Sequence, residues 1–368
     1  MTVTTQPRWD PYVLNSGAQL REHWAWRFEH GATVAFVQGI GFDPRMCLGL
    51  KLLRDLAPPA AVEVWAVSFG SPGDTTAIAM AQDNLALFTE LLSTGRRHDL
   101  DLAAPNIEQT ARGAANAIAD LAVFGDVSDI VIDVNALPRA VFFPLIAKLL
   151  YLCDQRHAGA PNLHVLAGDA AWLDAIIQSA GIDEHAVWLH PFASTFGVEA
   201  TLHVPRVWMP VLGERTAPQL ERISQLVGQM EVCPMLPFPS RDPRRGDELF
   251  LEYRRVLFDQ LRTDSGTFIY AAESNPFQVY RRLRQSTLEH VQTLKPLGGC
   301  KTAYSALSSK LVSIGVLLVA YELRDDGYEV GVADIGSQSH TIKRHVSIEE
   351  ARERTELAGL TLSGDSYL

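Results

Sequence analysis

Short apolar segments recur along this sequence, and most of them are followed by ten or more residues with a helical pattern. The first covers residues 33–38 and leads through a glycine-containing loop into a helical pattern at 46–56. Alternation of apolar strands with helices is typical of parallel βα units, because each crossover helix returns the chain to the start of the next strand. The pattern therefore predicts an α/β fold, with a doubly wound, largely parallel sheet in two Rossmann-like halves.

Two series of such segments support this division of the chain. The first series covers 33–38, 62–69, 129–134 and 163–167, and the second covers 206–212, 232–238, 267–272, 302–306 and 328–335. We predict an N-terminal extension at 1–30, a first α/β half at 31–182, a connecting segment at 183–204, a second half at 205–337, and a capping helix and tail at 338–368. The last ten residues, 359–368, are expected to form a surface tail.

Composition restricts the class of protein. Apolar residues make up 47% of the 368 residues and charged residues 20%, which is typical of a fully folded globular chain. The net charge of −11 argues against extended nucleic-acid binding.

The N-terminus has no apolar leader, and the longest helix-like apolar stretch, 311–321, is shorter than the roughly 20 residues that span a bilayer. The four cysteines are scattered and show no zinc-site spacing, so we expect a cytoplasmic protein without a membrane partner.

Polar residues concentrate in the loops that follow the strands. The carboxyl ends of parallel strands meet at one edge of a sheet, where ligands bind. We therefore expect the loops at 39–45, 135–139, 241–245 and 308–310 to open on one sheet edge. The residues predicted to bind a ligand there are Gly39, Gly41, Arg45, Arg139, Arg241, Arg244, Ser308, Ser309 and Lys310.

The loop that contains Gly39 and Gly41 follows an apolar strand, as in a dinucleotide-binding fold. The third glycine of that fingerprint is absent, and the next strand ends in Ser68 instead of an acidic residue that would hold a ribose. These departures argue against an NAD site, and the missing carboxylate argues equally against a methyltransferase site.

The segment Ser308-Ser309-Lys310 lies between a predicted strand and a predicted helix. A helix N-terminus carries unpaired N–H groups and a partial positive charge, so two hydroxyl groups and an ammonium group there would suit a phosphate. An ordinary serine cap with a solvated lysine is the alternative. The arrangement resembles the late Ser/Thr-Lys turn of CARF-type Rossmann domains, a resemblance that implies a cyclic oligonucleotide as ligand.

The arginines 241, 244 and 245 form a second basic group, at the start of a predicted helix. Guanidinium groups suit phosphate or carboxylate recognition, and Asp242 would hold one of them in place. The alternative is a solvated helix start with Asp247 and Glu248 as salt partners. Tyr270, Phe277 and Tyr304 lie near the same loops and could stack on a base or belong to the core.

Acidic residues at predicted strand ends could support chemistry. We predict Asp43, Asp133 and Glu273 as catalytic groups, and Asp133 with Asp169 as ligands to Mg²⁺, which prefers oxygen ligands. The alternative is that Asp43 caps a helix and that the other carboxylates bond backbone or arginine neighbours.

The motif Asp43-Pro44-Arg45 returns as Asp242-Pro243-Arg244. This echo indicates two related halves, although Asp-Pro also suits any helix start.

The sequence therefore predicts binding of a phosphate-bearing small molecule, such as a nucleotide, at the carboxyl edge of the sheet. Mg²⁺-dependent phosphate chemistry is one option. A non-catalytic nucleotide sensor, or an assembly subunit that forms a homodimer or joins a larger complex, is the other.

Overall fold

The computed structural model describes residues 6–58, 60–70, 74–92, 95–156, 159–193, 196 and 204–367, so the predicted connecting segment 183–204 lies partly outside the described residues. The chain forms two compact units. We call Pro11–Gly181 with Ser337–Leu368 the first unit, and Met1–Asp10 with Ile182–Gly336 the second unit.

The elements follow one another in the order that the βα pattern predicts, with additions at both ends. The first stretch contains β1 (Val13–Ser16), α1 (Gly17–Glu29), β2 (Val34–Gly39), α2 (Leu48–Leu56), β3 (Val62–Ser68), α3 (Thr75–Leu91), β4 (Arg97–Asp101), α4 (Ile107–Asn116), β5 (Asp129–Asp133), α5 (Arg139–Arg156), β6 (Asn162–Asp169), α6 (Ala171–Asp174) and β7 (Ile177–Ile182). The next contains β8 (Val187–Trp188), β9 (Arg206–Val211), α7 (Ala217–Val227), β10 (Glu231–Val232), β11 (Met235–Pro237), α8 (Arg245–Arg254), β12 (Ile269–Ala271), α9 (Pro276–Thr293), β13 (Lys301–Ala306), α10 (Lys310–Asp325) and β14 (Val330–Asp334). The last elements are β15 (Ser337–Ile342), α11 (Ile348–Arg354) and β16 (Glu356–Ser363).

The sheet of the first unit has the strand order β1-β16-β6-β5-β2-β3-β4. Strands β2 to β6 pair in parallel, whereas β16 pairs antiparallel with both β6 and β1. Numbered along the chain, the five parallel strands lie in the order 3-2-1-4-5, which is the Rossmann arrangement.

The sheet of the second unit repeats this arrangement. Its order is β12-β11-β9-β13-β14-β8, with β10 paired to β9. The strands β9, β11, β12, β13 and β14 are parallel and again lie in the order 3-2-1-4-5, and β8 is antiparallel to β14 at the edge. The predicted doubly wound, largely parallel α/β fold in two halves is therefore confirmed.

Apolar character explains why these segments form the cores. All residues of β2 and β5 are buried, as expected for strands covered by helices on both faces. The helix-like apolar stretch 311–321 lies in α10, in which residues 311–323 are all buried. In the part of the chain that the structure describes, no helix is both long and apolar enough to cross a membrane.

The expected surface tail at 359–368 is wrong for its first half. Residues 356–363 form β16, which lies between β1 and β6, and Leu360 and Leu362 are fully buried. The helix α11 before it starts at a serine cap, since the Ser347 hydroxyl oxygen accepts a hydrogen bond of 3.1 Å from the backbone N–H of Glu350.

The two Asp-Pro-Arg motifs do not occupy equivalent places. Asp43 follows β2, the first parallel strand of its unit, whereas Asp242 follows β11, the second parallel strand of its unit. Each aspartate accepts a hydrogen bond from the backbone N–H of the arginine two residues later, at 3.0 Å for Arg45 and 2.9 Å for Arg244. The repeated Asp-Pro-Arg motif therefore reflects the same local turn in two different places. The relationship between the halves lies in their repeated strand order.

Candidate functional site

Two sheet edges are available for a ligand, one in each unit. In an open parallel sheet, the crevice for a ligand forms where the strand order reverses. This point lies between β2 and β5 in the first unit and between β9 and β13 in the second. A single edge shared by all four predicted loops is wrong, because 39–45 and 135–139 follow strands of one sheet and 241–245 and 308–310 follow strands of the other. Within each unit, the expected pair of loops does open on one edge.

The glycines at the edge of the first unit serve contacts within the protein. A Cβ atom at Gly39 would lie 2.8 Å from Leu137 Cδ2 and 3.0 Å from the backbone carbon of Ala136, so only glycine permits this approach of the two loops. The backbone N–H of Gly41 donates to Met46 Sδ at 3.3 Å, and its carbonyl oxygen accepts from the Asn84 amide at 2.9 Å.

Asp43 and Arg45 form a buried, two-pronged ion pair in the same loop. Arg45 Nε donates to Asp43 Oδ1 at 2.9 Å, and Nη2 donates to Oδ2 at 2.7 Å. Asp174 approaches the same guanidinium at 3.1 Å. Burial alone would lower the pKa of Arg45, but the Asp43 and Asp174 carboxylates outweigh it and raise the pKa above its ordinary value. The pair therefore stabilises the loop as a fully charged unit.

The other two acidic site candidates of the first unit, Asp133 and Asp169, lie on the adjacent strands β5 and β6. Asp133 is buried, its Oδ1 accepts from the backbone N–H of Asn135 at 2.8 Å, and its Oδ2 lies against Gly49 in the first turn of α2. The Asn135 side-chain oxygen accepts from the backbone N–H of Gly168 at 2.6 Å. Asp169 ends β6, and Arg139 begins α5. Mg²⁺ at Asp133 and Asp169 stays a prediction.

The edge of the second unit contains a shallow depression that is open to solvent, with about 200 Å³ of empty space in and above it. Its walls come from the carboxyl ends of β9, β11 and β12, the start of α9 and the first turn of α10. The lining residues are Val211, Leu212, Met235, Leu236, Pro237, Ala271, Ala272, Glu273, Val279, Ser308 and Val312. Apart from Glu273 and Ser308, the lining side chains are apolar, as in many small-molecule sites.

The N-terminus of α10 closes one side of this depression. The Ser309 hydroxyl oxygen accepts from the backbone N–H of Val312 at 3.3 Å, so Ser309 is the cap that the simpler interpretation predicted. Lys310 is the first helical residue, and Ser308 reaches the depression. Because α10 has 16 residues, its N-terminus carries the partial positive charge of a full helix.

Ion pairs hold the loop that contains Arg241, Arg244 and Arg245, which follows β11. The Arg245 side chain is only 12% exposed, and its guanidinium contacts Glu214 at 3.3 Å and also Glu273. Glu273 Oε2 additionally accepts from the backbone N–H of Arg241 at 3.0 Å. Arg241 and Arg244 are exposed in this loop. Of the three arginines, 245 is therefore the one that fixes the loop.

Sequence reasoning missed two features of this edge. Arg215, in the loop after β9, has a φ of +59°, a strained conformation for a residue with a side chain. Phe238 is 64% exposed and forms an edge-to-face pair with Tyr270, which is 51% exposed, with ring centroids 6.3 Å apart. The other two aromatic candidates, Phe277 and Tyr304, are core residues. Backbone strain has no sequence signal, whereas the Phe238 ring beside two prolines could have been noticed.

Comparison with known proteins gives structural similarities only. No protein-family model matches the chain, and no curated protein sequence matches it. A type III CRISPR defence DNA nuclease activated by cyclic oligoadenylate is similar to it with a TM-score of 0.43 and 9% identity, over 78% of this chain and 63% of that one. This chain thus spans less than two thirds of the nuclease.

Two methyltransferases show a smaller overlap. Precorrin-6y C5,15-methyltransferase from Geobacter metallireducens GS-15 has a TM-score of 0.22 and 12% identity, over 46% of this chain and 77% of that one. The N,N-8-amino-8-demethyl-D-riboflavin dimethyltransferase RosA from Streptomyces davawensis has a TM-score of 0.21 and 12% identity, over 45% of this chain and 51% of that one.

Proposed function

We propose that the second unit binds a nucleotide, or another phosphate-bearing small molecule, in the depression at the carboxyl edge of its sheet. The observation that carries this proposal is the junction of the depression with the N-terminus of α10, where Ser308 and Val312 line it and Lys310 is the first helical residue. A helix N-terminus is a ready anion site, and it lies here beside the point where the strand order reverses.

Charged and aromatic side chains near the depression suit such a ligand. Lys310 and the exposed Arg241 and Arg244 supply cations for phosphate groups. Phe238 directly follows β11 and Tyr270 lies within β12, and the ends of both strands line the depression. Exposed aromatic rings bind bases by stacking. The ligand would then place its phosphates toward α10 and its base toward the aromatic pair.

Binding without catalysis is the function that this edge supports best. The Glu214 and Glu273 carboxylates are both paired with Arg245. A carboxylate whose charge is already paired with a guanidinium is a poor ligand for a metal ion. The unit therefore suits a nucleotide sensor, as the resemblance of the Ser308-Ser309-Lys310 turn to CARF-type domains also implies.

The proposal is tested by calorimetric titration of the full chain with ATP, AMP and cyclic oligoadenylates. Lys310→Ala should weaken binding of the nucleotide that binds best by roughly 1.5 to 3 kcal/mol, the range for a charge-assisted hydrogen bond, because the variant loses the ammonium group. Lys295→Ala is the matched control, since Lys295 is exposed and follows α9 away from the depression.

Ser309→Ala separates capping from ligand binding. Loss of the cap should lower the free energy of unfolding by about 0.5 to 2 kcal/mol without any ligand present. If no nucleotide binds the wild type, or if Lys310→Ala binds it as well as Lys295→Ala does, the site is not at α10.

A further inference from the structure

Three side chains with different ligand atoms come together near the amino-terminal ends of the second unit's parallel strands. Glu231 begins β10, Cys233 follows β10, and His290 lies in the last turn of α9. Their ligand atoms all lie within 4.8 Å of one another. Among the described residues, this is the one group of three or more His, Cys, Asp or Glu side chains whose ligand atoms lie close enough together to hold a metal ion.

The His290 ring is oriented as a metal ligand would be. Its Nδ1 lies 2.7 Å from the carbonyl oxygen of Ser286. A carbonyl oxygen only accepts hydrogen bonds, so Nδ1 carries the proton and Nε2 keeps its lone pair. Metal-binding histidines are commonly fixed in this way by a second hydrogen bond.

The distance from the imidazole to the thiol also suits a shared ion. His290 Nε2 lies 3.8 Å from Cys233 Sγ. In a tetrahedral zinc site with Zn–S of about 2.3 Å and Zn–N of about 2.0 Å, the two ligand atoms are roughly 3.6 Å apart. An ion could therefore bridge these atoms with only a small movement of either side chain.

We propose that Glu231, Cys233 and His290 bind a Zn²⁺ ion, with solvent as the fourth ligand. One thiolate, one imidazole and one carboxylate form the mixed S, N and O set that Zn²⁺ accepts, whereas Mg²⁺ and Ca²⁺ require oxygen ligands alone. The bound ion would connect β10 to the end of α9.

The metal would replace the thiol proton, which passes to solvent. Burial, and after it the Glu231 carboxylate, raise the pKa of Cys233 to about 12, so without a metal the thiol stays protonated beside Nε2. A thiol–imidazole hydrogen bond alone is therefore the competing interpretation of the same geometry.

This site is separate from the proposed nucleotide site. The helix α9 starts at the depression, where Val279 is a lining residue, and runs 18 residues to its other end near His290. At about 1.5 Å per residue, the 11 residues from Val279 to His290 correspond to roughly 16 Å along the helix. The ion would therefore lie outside the depression, and it would keep one coordination position open to solvent.

The test is a competition titration of the chelator-treated full chain with Zn²⁺ and a chromophoric chelator. The wild type should bind one Zn²⁺ per chain, and Cys233→Ser and His290→Gln should each weaken binding at least about 100-fold, since loss of a second-shell partner alone costs roughly 10- to 100-fold. Cys153→Ser, which alters a buried thiol in the first unit, should bind Zn²⁺ like the wild type. Co²⁺ should produce a sulfur-to-metal charge-transfer band that Cys233→Ser lacks.

Equal Zn²⁺ affinity in the wild type, Cys233→Ser and His290→Gln would overturn the proposal, as would a Co²⁺ complex without the sulfur band. If circular dichroism shows that Cys233→Ser does not fold, His290→Gln decides, because the His290 side chain is only half-buried. Nucleotide binding is measured separately, so failure of either site leaves the other unaffected.

Discussion

A buried carboxylate joins four elements of the first unit. Asp129 in β5 accepts two hydrogen bonds of 2.7 Å from Arg27 in α1 and one of 2.9 Å from His164 in β6. His164 in turn contacts the Thr361 hydroxyl of β16 at 3.1 Å. Burial alone would raise the pKa of Asp129, but hydrogen bonds from His164, Arg27 and Ser128 outweigh it and lower the pKa. The ionised form of Asp129 is therefore the one that the fold stabilises.

Replacing Asp129 should destabilise the first unit strongly. We expect Asp129→Asn to lower the free energy of unfolding at pH 7 by about 3 to 5 kcal/mol, because the half-buried Arg27 charge would keep only the exposed Asp365 carboxylate, 3.7 Å away, as an ionic partner. Urea unfolding followed by circular dichroism measures the change. Asp126→Asn, at an exposed position nearby, should change stability by less than about 0.5 kcal/mol.

The pH dependence has a definite sign. The pKa of Asp129 is lower in the folded chain than its ordinary value of 3.8, so its contribution is present above pH 3.8 and is lost as the pH falls through the folded pKa. The wild type should lose stability below pH 3.8 more steeply than Asp129→Asn does. Parallel pH profiles of the two proteins would contradict this assignment.

At the scale of elements, close helix packing depends on single glycines. The helices α9 and α10 approach each other at Gly315, where an added Cβ would meet the carbonyl oxygen of Pro276 and lie 2.7 Å from Val279 Cβ. Backbone atoms cannot move aside as a flexible side chain would. Gly113, in α4, shares the helical conformation but has open space around its Cα.

The same substitution should therefore have opposite effects at these two positions. Gly113→Ala should stabilise the protein by about 0.5 to 1 kcal/mol, because alanine is the better helix former. Gly315→Ala should destabilise it by about 1 to 3 kcal/mol, because the added methyl group overpacks the helix interface. Thermal unfolding of both variants beside the wild type gives the comparison, and stabilisation by Gly315→Ala would contradict the tight contact.

At the scale of the whole molecule, the first unit is assembled from two distant parts of the chain. Its strand β16 comes from residues that follow the entire second unit, and it lies between β1 and β6. The chain leaves and re-enters the first unit at neighbouring points, because Gly181 lies next to Gln338. A short linker between residues 181 and 337 would therefore bypass the second unit.

This arrangement predicts how fragments of the chain should behave. Residues 11–181 alone should lack a cooperative unfolding transition, because β6 would expose its edge and the partners of Leu360 and Leu362 would be uncovered. Joining 337–368 to residue 181 should restore the transition in urea unfolding, and the same fusion with Leu360→Asp should not. A cooperative transition in 11–181 alone would show that β16 is dispensable.

Local patterns were sufficient to predict the parallel strands and the caps. Strands covered on both faces are apolar throughout, as in β2 and β5, so their place in the core can be read from a short segment. The caps at Ser309 and Ser347 depend on residues three positions away, which the sequence also displays. These signals determined the α/β class, the two halves and the helix starts around the candidate site.

Only the tertiary structure decided which residues come together. The strand β16 pairs with both β1 and β6, although these strands are remote from it in the sequence. The Asp43–Arg45 pair and the Arg245–Glu273 pair hold their loops, whereas Arg241 and Arg244 are exposed, a difference that these charged loop residues do not show in the sequence. Cys233 and His290 are far apart in sequence and meet because α9 returns along the sheet. Such contacts depend on crossover geometry, which no local spacing of residues records.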